Sequence, residues 1–233
     1  MNANGKTKIT AIICAYNEEK TIEEIVCKAT DYFFDEVIVV NDGSTDKTDA
    51  VLKNLLNYCS FKYIVLIENK GKGHAMASGI ELSCGDVIVF FDSDLSNLKE
   101  EHFEKLIVPI LNNEVDMVLG QPSETTVDFR KNPLKSLSGQ RSLLRKDILP
   151  IVDKMKETRY GVETLINLYY RAEGKNVKYV LLKGLAHSNK FEKTSPSKAM
   201  TEFIKAGHQI VTTALKNFSY ISRITTSTKK SND

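Results

Sequence analysis

The sequence predicts an α/β fold: a mostly parallel, Rossmann-like sheet flanked by helices, with a further helix at the C-terminal end. Three observations lead there. Short β-branched runs alternate with stretches of helical periodicity between Ile9 and Leu111, the pattern of strand–helix–strand crossovers. The run Val87-Ile88-Val89-Phe90-Phe91 is apolar without alternation, as a strand covered on both faces must be. Polar, often glycine-bearing loops follow the strands, where open α/β sheets place their ligands.

Taken in order, Ile9 to Cys14 is the first strand, and Thr21-x-x-Glu24 is a capping-box pattern for the helix after it. Glu36 to Val40 is the second strand. It runs into Asn41-Asp42-Gly43-Ser44-Thr45-Asp46, whose polar side chains can cap a helix to about Leu56. A third strand spans Tyr63 to Ile67, and the loop Glu68 to Gly73 leads to a helix from His74 to Leu82. After the apolar strand, a helix covers Glu100 to Leu111, with Pro109 able to shorten or kink it. Val115 to Leu119 is another strand, Gln121 to Ser136 a long loop, and Val177 to Leu182 a late strand. Tyr160-Gly161-Val162-Glu163 opens a helix reaching Glu173, and Ser197 to Phe218 forms the last helix, ahead of a polar end.

Composition bounds the function. At 233 residues with 42% hydrophobic and 27% charged content, the chain fits a soluble globular protein. A net charge of +2 argues against nucleic acid as a partner. Cys14, Cys27, Cys59 and Cys84 lack metal-site spacing and are expected as buried free thiols. With no signal peptide and no membrane-length apolar run, the expected location is the cytoplasm or the inner face of the membrane.

The chemistry centres on Asp92-Ser93-Asp94. An extended segment would turn both carboxylates to one side, at the carboxyl end of the buried strand. Paired hard oxygen ligands there suit Mg²⁺ or Mn²⁺, and such an ion brings phosphates with it. A solvated turn is the plain alternative.

Four motifs then stand in order: Ala15-Tyr16-Asn17-Glu18-Glu19, Asn41-Asp42-Gly43-Ser44-Thr45-Asp46, Asn69-Lys70-Gly71-Lys72-Gly73 and Asp92-Ser93-Asp94. Over residues 8 to 120 their order and spacing resemble the family 2 glycosyltransferases, which have the GT-A fold. The segment Ser138-Gly139-Gln140-Arg141 with Arg145, then Gly161-Val162-Glu163, then His187, resembles the acceptor half of small bacterial members and of glucosyl-phosphoglycerate synthases. The resemblance implies one domain over 1–233: a nucleotide-sugar half (8–120), an acceptor half (121–195) and a helix and tail (196–233). It implies transfer of a hexose from a nucleotide sugar, UDP-linked by expectation, to an acceptor hydroxyl or phosphate.

The resemblance also implies roles. Asp94 would bind Mg²⁺ or Mn²⁺ directly, Asp92 would support the ribose or a metal water, and His187 would join the metal shell or simply be satisfied in its loop. Ala15, Tyr16 and Glu18 lie on the loop that wraps base and ribose, and Ser93 lies with the nucleotide set. Asp42 would accept from the uracil imide, or serve only as a helix-capping turn. Gly71 allows close backbone approach, and Lys72 would meet ribose or phosphate. Glu163 is a base for an acceptor hydroxyl, its orienter, or a helix-start glutamate. Arg141 and Arg145 bind an acceptor phosphate or the diphosphate, or form a solvated basic face.

The apolar stripe Met200, Phe203, Ile204, Gly207, Ile210, Val211 and Leu215, amid an excess of lysine, reads as a helix packed on the core, as a homodimer seam, or as a membrane contact. A polyprenyl phosphate acceptor is the near alternative. A nucleotidyltransferase would want a basic glycine-rich loop after the first strand, where this chain is acidic. A phosphatase nucleophile would usually sit on the first strand. A non-catalytic nucleotide-sugar module would not need both aspartates.

Overall fold

A computed structural model describes residues 6–122, 138–158, 161–187 and 211–230. The alternation resolves into β1 (Ile9–Ala15), α1 (Ile22–Asp31), β2 (Glu36–Asn41), α2 (Thr48–Leu55), β3 (Lys62–Val65), α3 (Lys72–Leu82) and β4 (Val87–Asp92). Then come β5 (Leu95–Ser96), α4 (Glu100–Leu111), β6 (Met117–Pro122), β7 (Arg141–Leu144), α5 (Arg145–Ile148), a 3₁₀ turn and α6 (Val152–Lys156). The rest comprises α7 (Val162–Ala172), β8 (Val177–Leu182), β9 (Ala186–His187) and a C-terminal helix (Phe218–Lys230).

Seven strands form one sheet in the order β3-β2-β1-β4-β7-β6-β8. Every pairing is parallel except those of β7, which runs antiparallel to both β4 and β6. The expected mostly parallel sheet is therefore present. Each face carries its own core. Alternation sends Ile13, Val39, Val89 and Phe91 toward α1 and α4, and sends Ile12, Ile38, Ile88 and Phe90 toward α3, α6 and α7. Val87 to Phe91 are all at most 3% exposed, and burying each contributes about 1.5–3 kcal/mol. α1 buries Ile22, Ile25, Val26 and Ala29, one stripe at helical spacing.

The structure corrects several expectations. The capping box at Thr21 does not form: the Thr21 hydroxyl donates instead to Glu18 Oε2 at 3.1 Å. The polar 41–46 turn, by contrast, does cap the second helix as expected: Asp46, one residue outside it, accepts from the Thr48 amide at 2.9 Å. Cys84 is exposed and the other three cysteines are half-buried, with Cys27 and Cys59 facing each other at 3.5 Å. Pro109 lies within α4 without ending it.

The sequence reading also had no element over 141–156, where the structure has β7, α5 and α6. Gln121 and Pro122 end β6 rather than beginning a loop, and residues 123–137 lie outside the described residues. So does Tyr160.

Of the expected helix from Ser197 to Phe218, the part to residue 210 lies outside the described residues, with Met200, Phe203, Ile204, Gly207 and Ile210. Residues 211–216 are helical, and a helix to Lys230 stands where the sequence reading had a polar end. Its Tyr220 packs edge-on against Tyr169 of α7, with ring centroids 5.7 Å apart, and Arg223 pairs with Glu173 at 2.9 Å. No described helix is long and apolar enough to cross a membrane.

Candidate active site

The site forms where β1, β2 and β4 end together, in register: Cys14 lies beside Val40 and beside Asp92. β4 stops at Asp92, and residues 93–94 form a turn. Asp92 and Asp94 therefore do not converge by strand alternation, the expected route. They converge because the turn leads into β5, which pairs antiparallel with β9 and sets Leu95 opposite His187. His187 Nδ1 lies 3.1 Å from Asp94 Oδ1. One candidate ligand atom each from Asp92, Asp94 and His187 can be chosen so that all lie within 4.8 Å of one another. Two carboxylates and an imidazole, drawn together from three chain positions, fit a divalent cation such as Mg²⁺ or Mn²⁺.

Around this trio lies a charged network on the α3/α7 face. Asp92 follows Phe90 by two residues and so shares its face, as does Arg141, the register partner of Phe90. The Lys72 ammonium donates to Asp92 Oδ1 at 2.6 Å and to Glu163 Oε1 at 2.6 Å. Lys72 is the first residue of α3, and Glu163 lies in the first turn of α7, so two eleven-residue helices begin at the site. Burial works against the charge on Lys72, but Asp92 and Glu163 more than offset it and hold its pKa above the ordinary lysine range. Burial alone would raise the Asp92 carboxyl. Lys72 and, more weakly, His187 outweigh burial and the Asp94 charge, leaving it below the ordinary aspartate range.

The upstream loops are stitched to each other. The Asn17 side-chain oxygen accepts from the Thr45 amide at 2.8 Å, while the Asn17 amide donates to Ser44 Oγ at 3.0 Å. Asn17 adopts φ 56°, the left-handed region where asparagine is tolerated. Asp42 holds the next loop: its carboxylate accepts from the Lys70 amide at 2.8 Å, the Gly71 amide at 2.9 Å and the Asn69 side chain at 3.2 Å. Gly71 sits at φ 94° directly before α3, a conformation that strains any residue with a Cβ.

Residues 10–162 match the family model described as glycosyl transferase family 2. The chain belongs to this family. The resemblance read from the four motifs is thus borne out. A UDP-N-acetylglucosamine–dolichyl-phosphate N-acetylglucosaminyltransferase of Methanococcus voltae is 31% identical over 151 residues, covering 58% of this chain and 60% of that protein. A poly-β-1,6-N-acetyl-D-glucosamine synthase of Staphylococcus aureus is 32% identical over 96 residues, 40% of this chain and 23% of its own length. The chain thus spans 60% of one of these relatives and less than a quarter of the other. The crystal structure of glucosyl-3-phosphoglycerate synthase from Mycobacterium tuberculosis, in complex with Mn²⁺, UDP and phosphoglyceric acid, superposes with a TM-score of 0.71. It is 24% identical, and the match covers 90% of this chain and 78% of that one. The fold is shared.

Within this family 2 chain, the structure brings Asp92, Asp94, His187, Lys72 and Glu163 together. Lys72 lies between two acids, its ammonium engaging the Glu163 carboxylate as well as Asp92. The Asp42 carboxylate organises the 69–71 loop, and the residue is 3% exposed.

Arg141 is fully buried. It donates to the Ser138 carbonyl at 2.5 Å and stands as counter-charge to Glu163 and Asp92, so it orders the segment instead of offering itself to an acceptor phosphate. Arg145 belongs to the other end of the sheet. It follows Leu144, the partner of Val87 at the start of β4, and its side chain donates to Ser83 Oγ at 3.1 Å. Five residues of strand, roughly 16 Å, separate that end from Asp92.

Tyr16 is 41% exposed beside the site, Ala15 is buried against β2 at the end of β1, and Ser93 is buried in the turn. The Glu18 amide donates to Thr48 Oγ1 at 2.8 Å, which fixes its loop on α2. Sequence reasoning passed over Gln140 as a site residue. Its side chain donates to Asp92 Oδ2 at 2.8 Å.

Proposed function

We propose that this chain is a divalent-cation-dependent glycosyltransferase that moves a hexose from a UDP-linked sugar to an acceptor carrying a phosphate. The observation that carries the reading is the convergence of Asp92, Asp94 and His187 at the strand ends, beside the N-termini of α3 and α7. Asp94, His187 and Asp92 would hold Mg²⁺ or Mn²⁺, which supplies Lewis-acid stabilisation of the departing diphosphate when bound. The chain's own groups do the rest. The two helix starts favour the negative charge that builds on the leaving group. Lys72 keeps Asp92 ionised, and the Ala15–Glu18 loop offers the Tyr16 ring as a face for the base.

Uridine is supported by two relatives. One is named for a UDP-sugar donor, and the other was crystallised with UDP. Their acceptors, dolichyl phosphate and phosphoglyceric acid, share only a phosphate, which is the acceptor chemistry proposed here. A lipid-linked phosphate is the second reading. It is favoured by Val211, Leu215 and Phe218, which are 58%, 67% and 62% exposed at four- and three-residue spacing, with Lys216 beside them. On that reading the chain works at the inner face of the membrane.

Calorimetry with UDP-glucose, UDP-N-acetylglucosamine and GDP-mannose in Mn²⁺ tests the donor. Binding of a uridine sugar and none of GDP-mannose is expected, and tight GDP-mannose binding would overturn the uridine assignment. Turnover on 3-phosphoglycerate against polyprenyl phosphate in vesicles then separates the two acceptors.

A further inference from the structure

Asp92 is held from both halves of the chain. Lys72, from the donor half, donates to Oδ1 at 2.6 Å, and Gln140, from the acceptor half, donates to Oδ2 at 2.8 Å. Gln140 is itself immobilised. It is fully buried, its side-chain oxygen accepts from Ser138 Oγ at 2.7 Å, and its carbonyl accepts from the Gly120 amide at 2.9 Å. Gly139 makes the arrangement possible: a Cβ there would collide with both Asp92 carboxylate oxygens. A carboxylate gripped by an ammonium on one oxygen and a neutral amide on the other has one orientation available before any ligand arrives.

We propose that Gln140 is a positioning residue for the donor site: acting through Asp92, with Gly139 providing the room, it sets the affinity for the divalent cation. The inference rests on the metal-dependent reading above. A neutral amide suits the task, because it fixes the carboxylate without cancelling its charge as a second cation would. The acceptor-side segment 138–141 thereby tunes the cation-binding trio without touching the cation.

The test is Mn²⁺ binding to the full chain without nucleotide, followed by electron paramagnetic resonance of the free ion, together with thermal melting. Gln140→Met keeps the length of the side chain and removes the donor. It is expected to weaken Mn²⁺ binding about 10- to 100-fold with the melting temperature little changed. In an Asp92→Asn background the same substitution is expected to change affinity by less than twofold, because its effect is routed through that carboxylate. Gly139→Ala, which displaces Asp92 directly, should weaken binding to a similar degree and stands in if Gln140→Met does not fold. Native-like Mn²⁺ affinity in a folded Gln140→Met, or losses that multiply when it is combined with Asp92→Asn, would overturn the inference. A native chain that takes up no Mn²⁺ even with UDP present would overturn the metal-dependent reading and this inference with it.

Discussion

Asp94→Asn is expected to reduce sugar transfer by about a thousandfold or more, a loss of about 4 kcal/mol of transition-state stabilisation. Asp94 is 5% exposed, and its Oδ1 lies 3.1 Å from His187 Nδ1, so it joins the turn after β4 to the β9 strand as well as facing the proposed cation. Asparagine keeps the shape and removes the negative charge. The melting temperature should therefore move little while turnover collapses. UDP release from a UDP-sugar at saturating Mn²⁺ is the measurement, and a rate within tenfold of native would remove Asp94 from the centre of the account.

Lys72→Met should have the largest effect on stability. Its ammonium is the shared partner of Asp92 and Glu163, whose side chains are 18% and 9% exposed, and its removal leaves two enclosed carboxylates facing each other. A loss of about 3 kcal/mol is expected, as when one partner of a buried ion pair is removed. At this chain length that lowers the melting temperature by roughly 6–12 °C. The effect should depend on pH. The Asp92 carboxyl is held below the ordinary aspartate range mainly by Lys72, so its contribution to stability is full above that range and fades as pH falls through its depressed value. The gap between native and Lys72→Met should therefore be widest near neutral pH and narrow in strong acid. A gap that stays constant from pH 7 down to acid unfolding would mean that the ion pair is not its source.

The elements that sequence reading recovered are those with a strong local signal. β1, β2 and β4 are each built on a continuous apolar stretch, α1 has a clear stripe, and the polar loops between them carry recognisable motifs. The missed elements lack such a signal. β7 reads Arg-Ser-Leu-Leu, and its antiparallel place between β4 and β6 is fixed only by long-range pairing. β5 and β9 have two residues each, too few for any periodicity, yet their pairing brings His187 to Asp94. The same limit applies to side chains. That Asp42 and Asp92 belong to one site is legible from motif order, while Glu163 enters only through the family resemblance. That a lysine lies between Asp92 and Glu163 while Asp42 turns to the next loop depends on where α3 starts and how closely it packs on α6. Gln140 gave no signal of its own, because an amide in a mixed polar segment is indistinguishable from a surface residue until β7 folds beside β4.

The central claim is that the Asp92–Asp94–His187 trio binds a divalent cation and, through it, the diphosphate of the donor. Calorimetric titration of UDP, with Mn²⁺ and with the metal chelated away, tests it most directly in the native chain and in His187→Ala. The account predicts UDP affinity at least about tenfold higher with Mn²⁺ in the native chain, and most of that gain lost in the variant. Equal UDP affinity with and without Mn²⁺ in the native chain would contradict it.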